Sequence, residues 1–239
     1  PWIEDTLGCP FPDVNSEALV VSAPDQEQGQ PVFGVRRNMQ SVFAVRDEWV
    51  APITELAAQM HPDLLFSVTG AYDLSRITLG DGVAIWGPAP CYSADESTWS
   101  PKPGSTAVRL TLEQVAAVDF KIFWHCAGAQ DAIAHFGIYD DNRLVALTSV
   151  TDQGFNVYEI GIDVAPDVKL QGFGSSVLSV TGDWVLEQGA TIFASVALWN
   201  VPSGRNMRRR GLRYVYSVMQ GSFGPFKVPP QPLGTPMPG

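Results

Sequence analysis

The sequence predicts a mixed α/β fold arranged as two α/β units, and three observations predict it. Short apolar runs of strand type alternate with segments of helical period along most of the chain. A strong hairpin pattern occupies 135–150. Between 155 and 189, a strand, a glycine-bearing loop and an amphipathic helix follow in direct succession.

The composition supports a globular reading. With 239 residues, 45% hydrophobic and 17% charged, the chain can bury a sizeable core and is not of disordered type. Its 22 glycines and 19 prolines follow no G-X-Y period. No stretch reads as the run of about 20 apolar residues that a membrane helix requires. The first twenty residues are acidic and lack basic and apolar leader regions, so no signal peptide is expected. Cys9, Cys91 and Cys126 are few and widely spaced, which argues against a disulfide scaffold or a thiolate zinc site and favours a cytoplasmic setting. His61, His125 and His135 lack metal-ligand spacing, so no metal is expected. The net charge is −10, and residues 1–105 hold 14 acids and 5 bases while 106–239 hold 11 acids and 10 bases. That balance disfavours non-specific binding to nucleic acid. Arg205, Arg208, Arg209, Arg210 and Arg213 nevertheless form one basic run that could meet a small phosphorylated ligand.

The elements follow in order. A first α/β domain, 1–105, holds strand candidates at 18–23, 32–37 and 41–47. A helix at 48–60 places Ile53, Leu56 and Ala57 on one face. Residues 64–68 and 82–87 are further apolar segments, and 93–106 has linker composition. The second domain, 106–223, opens with a strand at 108–112. A helix is predicted at 112–124, capped by Thr111, with Val115, Val118 and Phe123 inward. In the hairpin at 135–150, Asp140, Asp141 and Asn142 supply turn chemistry. A strand at 155–166 is stopped by Pro166. The helix at 172–189 directs Val177, Val180, Trp184 and Val185 inward and ends at Gly189. A strand at 191–199, a short helix at 203–210 and a strand at 213–219 complete the domain. The Pro-rich tail, 224–239, is expected to be extended or mobile.

The loop after Pro166 carries the chemistry. A helix start offers unpaired N–H groups and the positive end of the dipole, which suits a phosphate or diphosphate. Gly172 and Gly174 would let a ligand approach the main chain closely. A dinucleotide fingerprint would need a third glycine, and Ser175, Ser176 and Val177 follow Gly174 instead. The Lys-Ser/Thr ending of a Walker loop is missing as well.

Lys169-x-x-Gly172-x-Gly174, preceded by Val164-x-Pro166, resembles the signature of the GNAT superfamily of CoA-dependent N-acetyltransferases, with Lys where Arg or Gln is usual. Asn200, Ser203 and Gly211-Leu212 fall in the same frame, and the element order from about 107 to 220 fits. The first half loosely resembles the degenerate acetyltransferase-like halves that precede some GNAT domains. The resemblance implies a GNAT fold and acetyl-CoA as co-substrate. It also implies direct attack by an amine, with acceleration from positioning and carbonyl polarisation. By that resemblance, the amides of Leu170, Gln171, Gly172, Phe173, Gly174 and Ser175 hold the CoA pyrophosphate. Main chain at Ile162, Asp163 and Val164 pairs with the pantetheine arm. Asn200 and Ser203 touch pantetheine or pyrophosphate, and Lys169 with either Arg205 or Arg209 meets phosphates. Glu159 is the expected base, directly or through water. The place where the family often has a tyrosine acid holds Met207, so water, Tyr214 or no residue at all would serve as the acid.

Plainer readings stand beside these. The two glycines could serve close helix–strand packing, Glu159 could be a salt-bridged strand residue, and the arginines a solvated helix face. Trp124-His125-Cys126 looks like a Cys/His pair, but adjacent residues rarely place side chains for nucleophilic catalysis, and Cys126 reads as a small buried hydrophobe; His135 opens a strand and reads as structural. The expected partners are acetyl-CoA and a small amine accepted between the two halves, with neither nucleic acid nor membrane. A homodimer is compatible with the sequence. The acidic first half favours a cationic acceptor. The rival functions are a non-catalytic acyl-CoA-binding or interaction module on the same fold, which Met207 supports, and a nucleotide-binding protein of another class.

Overall fold

A computed structural model describes residues 2–11, 18–22, 31–127 and 132–223. The helices are α1 (Trp2–Leu7), α2 (Asp47–Gln59), α3 (Pro62–Leu65), α4 (Val68–Thr78), α5 (Leu112–Ala116), α6 (Trp124–Ala127), α7 (Phe173–Glu187) and α8 (Val201–Arg209). The strands are β1 (Leu19–Ser22), β2 (Val32–Arg37), β3 (Gln40–Val45), β4 (Val83–Ala94), β5 (Val108–Arg109), β6 (Ala134–Asp140), β7 (Arg143–Asp152), β8 (Val157–Val164), β9 (Thr191–Ser195) and β10 (Arg213–Phe223). Contacts divide the described residues into two units. One takes the chain up to Cys91, Ser195–Val201 and the chain from Tyr214; the other takes Tyr92–Ala194 and Pro202–Arg213. The architecture is mixed α/β, as the sequence predicts.

In the first unit, the strand order is β1-β3-β2-β10, with β4 beside β10. β1 runs parallel to β3, while β2 pairs antiparallel with both β3 and β10. Gly34 admits the Phe43 ring across β2: a Cβ there would lie 2.6 Å from it. Phe43, Trp49, Ile53, Leu74 and Met219 form the centre of the core, so α2 and α4 bury their apolar faces on this sheet. Arg46 lies over the rings of Trp49 and Phe223, at 5.1 and 4.9 Å from their centroids.

In the second unit, the order is β9-β8-β7-β6-β5. β8 and β9 are parallel, and the other pairs are antiparallel. α7 packs on β6, β7 and β8. Under it, Thr148 and Thr181 share a buried hydrogen bond of 2.7 Å, and the Thr181 hydroxyl also reaches the Val177 carbonyl at 2.8 Å. The polar stretch before β5 lies along the other side of α7. Trp99 Nε1 donates to Asp183 at 2.7 Å, the Lys102 amide to Ser179 Oγ at 2.7 Å, and Ser105 Oγ to the Ser176 carbonyl at 2.7 Å. This strap explains why α7 buries Ser176, Ser179 and Gly182 as well as Val177 and Val185.

Local chemistry accounts for the differences from the sequence reading. Thr111 and Gln114 form a capping box for α5, but the helix ends at Ala116 rather than 124. Asp119 then takes over: its side chain accepts from the Lys121 amide and its carbonyl from Ile122 and Phe123, which competes with helix propagation. Phe123 is buried, and Val115 and Val118 pack against the same cluster. Residues 64–68 are not an extended segment. Ser67 Oγ accepts from the Gly70 amide and starts α4, an element that the apolar pattern alone does not reveal. β9 stops at Ser195 rather than 199, and Asn200 donates to the Ala197 carbonyl in a turn. The tail at 224–239 lies outside the described residues.

Candidate functional site

The glycine loop is built by four successive devices. Pro166–Val168 forms a 3-10 turn, and Val168 buries its side chain under it. Arg143 grips Asp167 through both oxygens, at 3.1 and 2.7 Å, tying the turn to β7; the guanidinium holds the Asp167 carboxyl below its ordinary value. Leu170 is left-handed at φ 67° with its side chain 90% exposed. Gly172, at φ 94°, then starts α7 without any side-chain cap, and this conformation is one that glycine adopts at no steric cost.

The result is a cluster of free donors. Among the described residues, nothing accepts a hydrogen bond from the amides of Gln171, Gly172, Phe173, Gly174 or Ser175. The first turn of α7 also carries no acidic residue. Lys102 adds a cation there: its Nζ donates to Ser176 Oγ at 3.1 Å and lies 3.2 Å from where a Gly172 Cβ would stand. Free amides, the positive dipole end and an ammonium together fit an anion with several oxygens. Gly174 has a packing reason too, since a Cβ there would lie 3.1 Å from Val164 and 3.9 Å from Asn206 Nδ2.

β8 contributes an open edge. Its parallel ladder with β9 covers only Val157–Glu159, so Ile160–Val164 is paired on the β7 side alone among the described strands. Alternation puts Glu159, Gly161 and Asp163 on one face of β8. Tyr158 stacks on Trp184 of α7, which sets the opposite face. Gln153 Nε2 donates to Glu159 at 3.1 Å. Gly161 lets α6 come close: a Cβ there would be 2.9 Å from the His125 carbonyl. Asp163 accepts twice from His125, from the backbone amide at 2.5 Å and in a 2.7 Å contact with Nδ1. Burial pushes the Lys169 ammonium below its ordinary value, and the Asp163 carboxylate opposes that shift.

The structure brings Glu159, Ile162, Asp163, Val164 and Lys169–Ser175 together on β8 and the loop that follows it. Ser203, Met207 and Arg209 stand on α8 in the same unit, with Met207 buried and Arg209 exposed. Asn200 and Tyr214 belong to the first unit; Tyr214 is exposed, and its hydroxyl pairs with Ser217 Oγ at 3.1 Å. Cys126 is buried, and burial pushes its thiol far up, as its reading as a small hydrophobe implies. Sequence reasoning missed Lys102, Asn206 and the His125–Asp163 pair. Each depends on a contact between distant segments, and only the presence of a histidine at 125 signalled the last.

The Acetyltransferase (GNAT) family matches residues 95–212, and that segment is a GNAT acetyltransferase domain. Among solved structures, it is similar to a GNAT-family protein from Novosphingobium aromaticivorans, at 16% identity and a TM-score of 0.48, over 59% of this chain and 66% of that one. It is also similar to a GCN5-related N-acetyltransferase from Kribbella flavida, at 17% identity and TM-score 0.47, over 82% and 88% of the two chains. A GNAT-family acetyltransferase from Colwellia psychrerythraea gives 15% identity and TM-score 0.47, over 76% of each. No curated protein matches the chain.

Proposed function

We propose that the chain moves an acetyl group from acetyl-CoA to the primary amine of a small cationic molecule, by direct attack within a ternary complex. The single observation that carries this reading is the group of five amides at the start of α7, next to Lys102, that have no partner among the described residues. In it, Gln171–Ser175 receive the pyrophosphate through main-chain N–H groups, and Leu170 turns the chain into that cradle. Lys102 and Lys169 neutralise phosphate charge, with Arg209 a further exposed cation for the same anion. The open edge of Ile162, Asp163 and Val164 supports pairing with the pantetheine amides. Asn200 and Ser203 are proposed to touch the same arm. Glu159 is proposed to meet the substrate ammonium, and Tyr214 to protonate the leaving sulfur. Positioning and main-chain polarisation of the carbonyl supply the acceleration.

One observation favours a second reading. Met207 is 4% exposed and has no proton to give, so an acyl-CoA-binding module without turnover is the alternative. Incubation with acetyl-CoA and spermidine, tyramine or lysine amide, following free thiol, tests the first reading. Thiol release that depends on both substrates is expected. Micromolar CoA affinity without release would favour the binding module, and neither binding nor release would overturn both.

A further inference from the structure

We propose that His125, oriented by Asp163, is the group that takes the proton from the incoming ammonium. This rests on the acyl-transfer reading above. Asp163 receives both the His125 backbone amide and its Nδ1. With a carboxylate facing it, Nδ1 carries the hydrogen, and the lone pair of the neutral ring is placed on Nε2. Nε2 has no partner among the described residues, and the His125 side chain is 34% exposed while that of Asp163 is 12% exposed. The anchor is therefore sheltered and the ring accessible. Gly161 matters because any side chain there would push the His125 main chain off β8. The imidazole thus stands over the same face of β8 that carries Glu159, and the Trp124 ring meets it edge-on at 5.5 Å between centroids.

The chemistry favours this ring over a carboxylate. A neutral imidazole offers a nitrogen lone pair and is the side chain most often used as a general base, whereas Glu159 already accepts from Gln153 Nε2 at 3.1 Å. Nε2 takes one proton from the ammonium and later returns it to solvent. The freed nitrogen lone pair forms the C–N bond at the thioester carbonyl, and the C–S bond breaks with its electron pair leaving on sulfur. The second proton on nitrogen ends on that sulfur, so amide and free thiol form with one proton released. Among the described residues, the charged group in contact with the ring is Asp163 from β8. Lys169 acts on the ring through Asp163. Asp163 is a positioning residue.

Three measurements test the assignment. Nitrogen NMR of the ligand-free protein should find neutral His125 protonated at Nδ1, whereas a proton on Nε2 would overturn the proposal. In thiol release with acetyl-CoA and the fastest of spermidine, tyramine and lysine amide, kcat/KM should rise with pH as the imidazole loses its proton. His125→Gln should lower kcat by about 100-fold or more, keep the KM for acetyl-CoA and abolish that acid limb. Asp163→Asn should lower kcat less and move the limb. In His125→Ala, added imidazole should restore rate in proportion to its free base, which a merely structural histidine would not allow. Wild-type kcat with an intact acid limb in His125→Gln would sink the assignment while leaving acyl transfer standing. No thiol release by the wild-type protein would sink both.

Discussion

His135 illustrates how one buried ring ties stability to pH. It sits on β6 opposite Ser149, and its Nε2 is buried with no hydrogen-bond partner among the described residues. Burial holds its pKa below the ordinary histidine value, because the charged form loses hydration that no described residue replaces. The unfolded chain therefore binds this proton first as pH falls. Stability attached to His135 is intact above about pH 6.5, declines as pH drops through that value, and levels off below the lower folded value. The carboxyls of Asp63, Asp95 and Asp167 are held below 3.8. Their contributions are present above that value and vanish only under stronger acid. Thermal unfolding of the wild type between pH 7.5 and 5.5 should show a falling midpoint, and His135→Gln should flatten that slope. An identical slope in the variant would mean that another group is responsible.

At the scale of one element, α7 is held on two sides by different chemistries. Val177, Leu178 and Val185 are fully buried, and the strap covers Ser176, Ser179 and Gly182. A Cβ on Gly182 would stand 2.2 Å from the Trp99 ring. Gly182→Ala should therefore force the ring out at a cost of about 1–3 kcal/mol. Trp99→Ala removes the obstacle, so the double variant should be less destabilised than the two single losses added together, a coupling that a denaturation cycle reads directly. Strict additivity would show that the ring does not press on the helix. The same element shows what a sequence can and cannot disclose. The apolar stripe and the Gly172 start of α7 were legible because they repeat or adjoin within a few residues. The strap was not, since Pro, Ser and Gly read as linker until Ser176 and Ser179 offer them oxygens. α4 was missed because its evidence is a single capping serine beside a moderately apolar run.

Across the whole chain, legibility follows the distance between partners. The order of elements and the contiguous Lys169–Ser175 loop point to the GNAT family from the sequence alone. The antiparallel pairing of β10 with β2, and the His125–Asp163 contact, join segments that no local pattern links. Lys102 belongs with these, and it makes the anion site testable through the stability of the entire protein. A ligand that binds only the folded chain at 100 times its Kd stabilises by about 2.7 kcal/mol, or about 5–11 °C in midpoint for 150–250 residues. Acetyl-CoA should produce such a shift, and 3′-dephospho-CoA should retain most of it if the proposed cradle takes the diphosphate. Gly172→Ala must hold alanine at φ 94°, which costs about 1–2 kcal/mol and narrows the cradle, so its ligand-free midpoint should drop and its shift largely vanish. Lys102→Ala acts in a different way. It removes a cation from the positive end of α7, a relief that offsets the lost Ser176 hydrogen bond, so the ligand-free protein should change little in stability, yet acetyl-CoA should bind about 5–10-fold more weakly, with a smaller salt dependence because one screened contact is gone. Equal shifts in the wild type and both variants would place the anion elsewhere, since neither the bare amides at the α7 start nor the ammonium beside them would then be in contact with it.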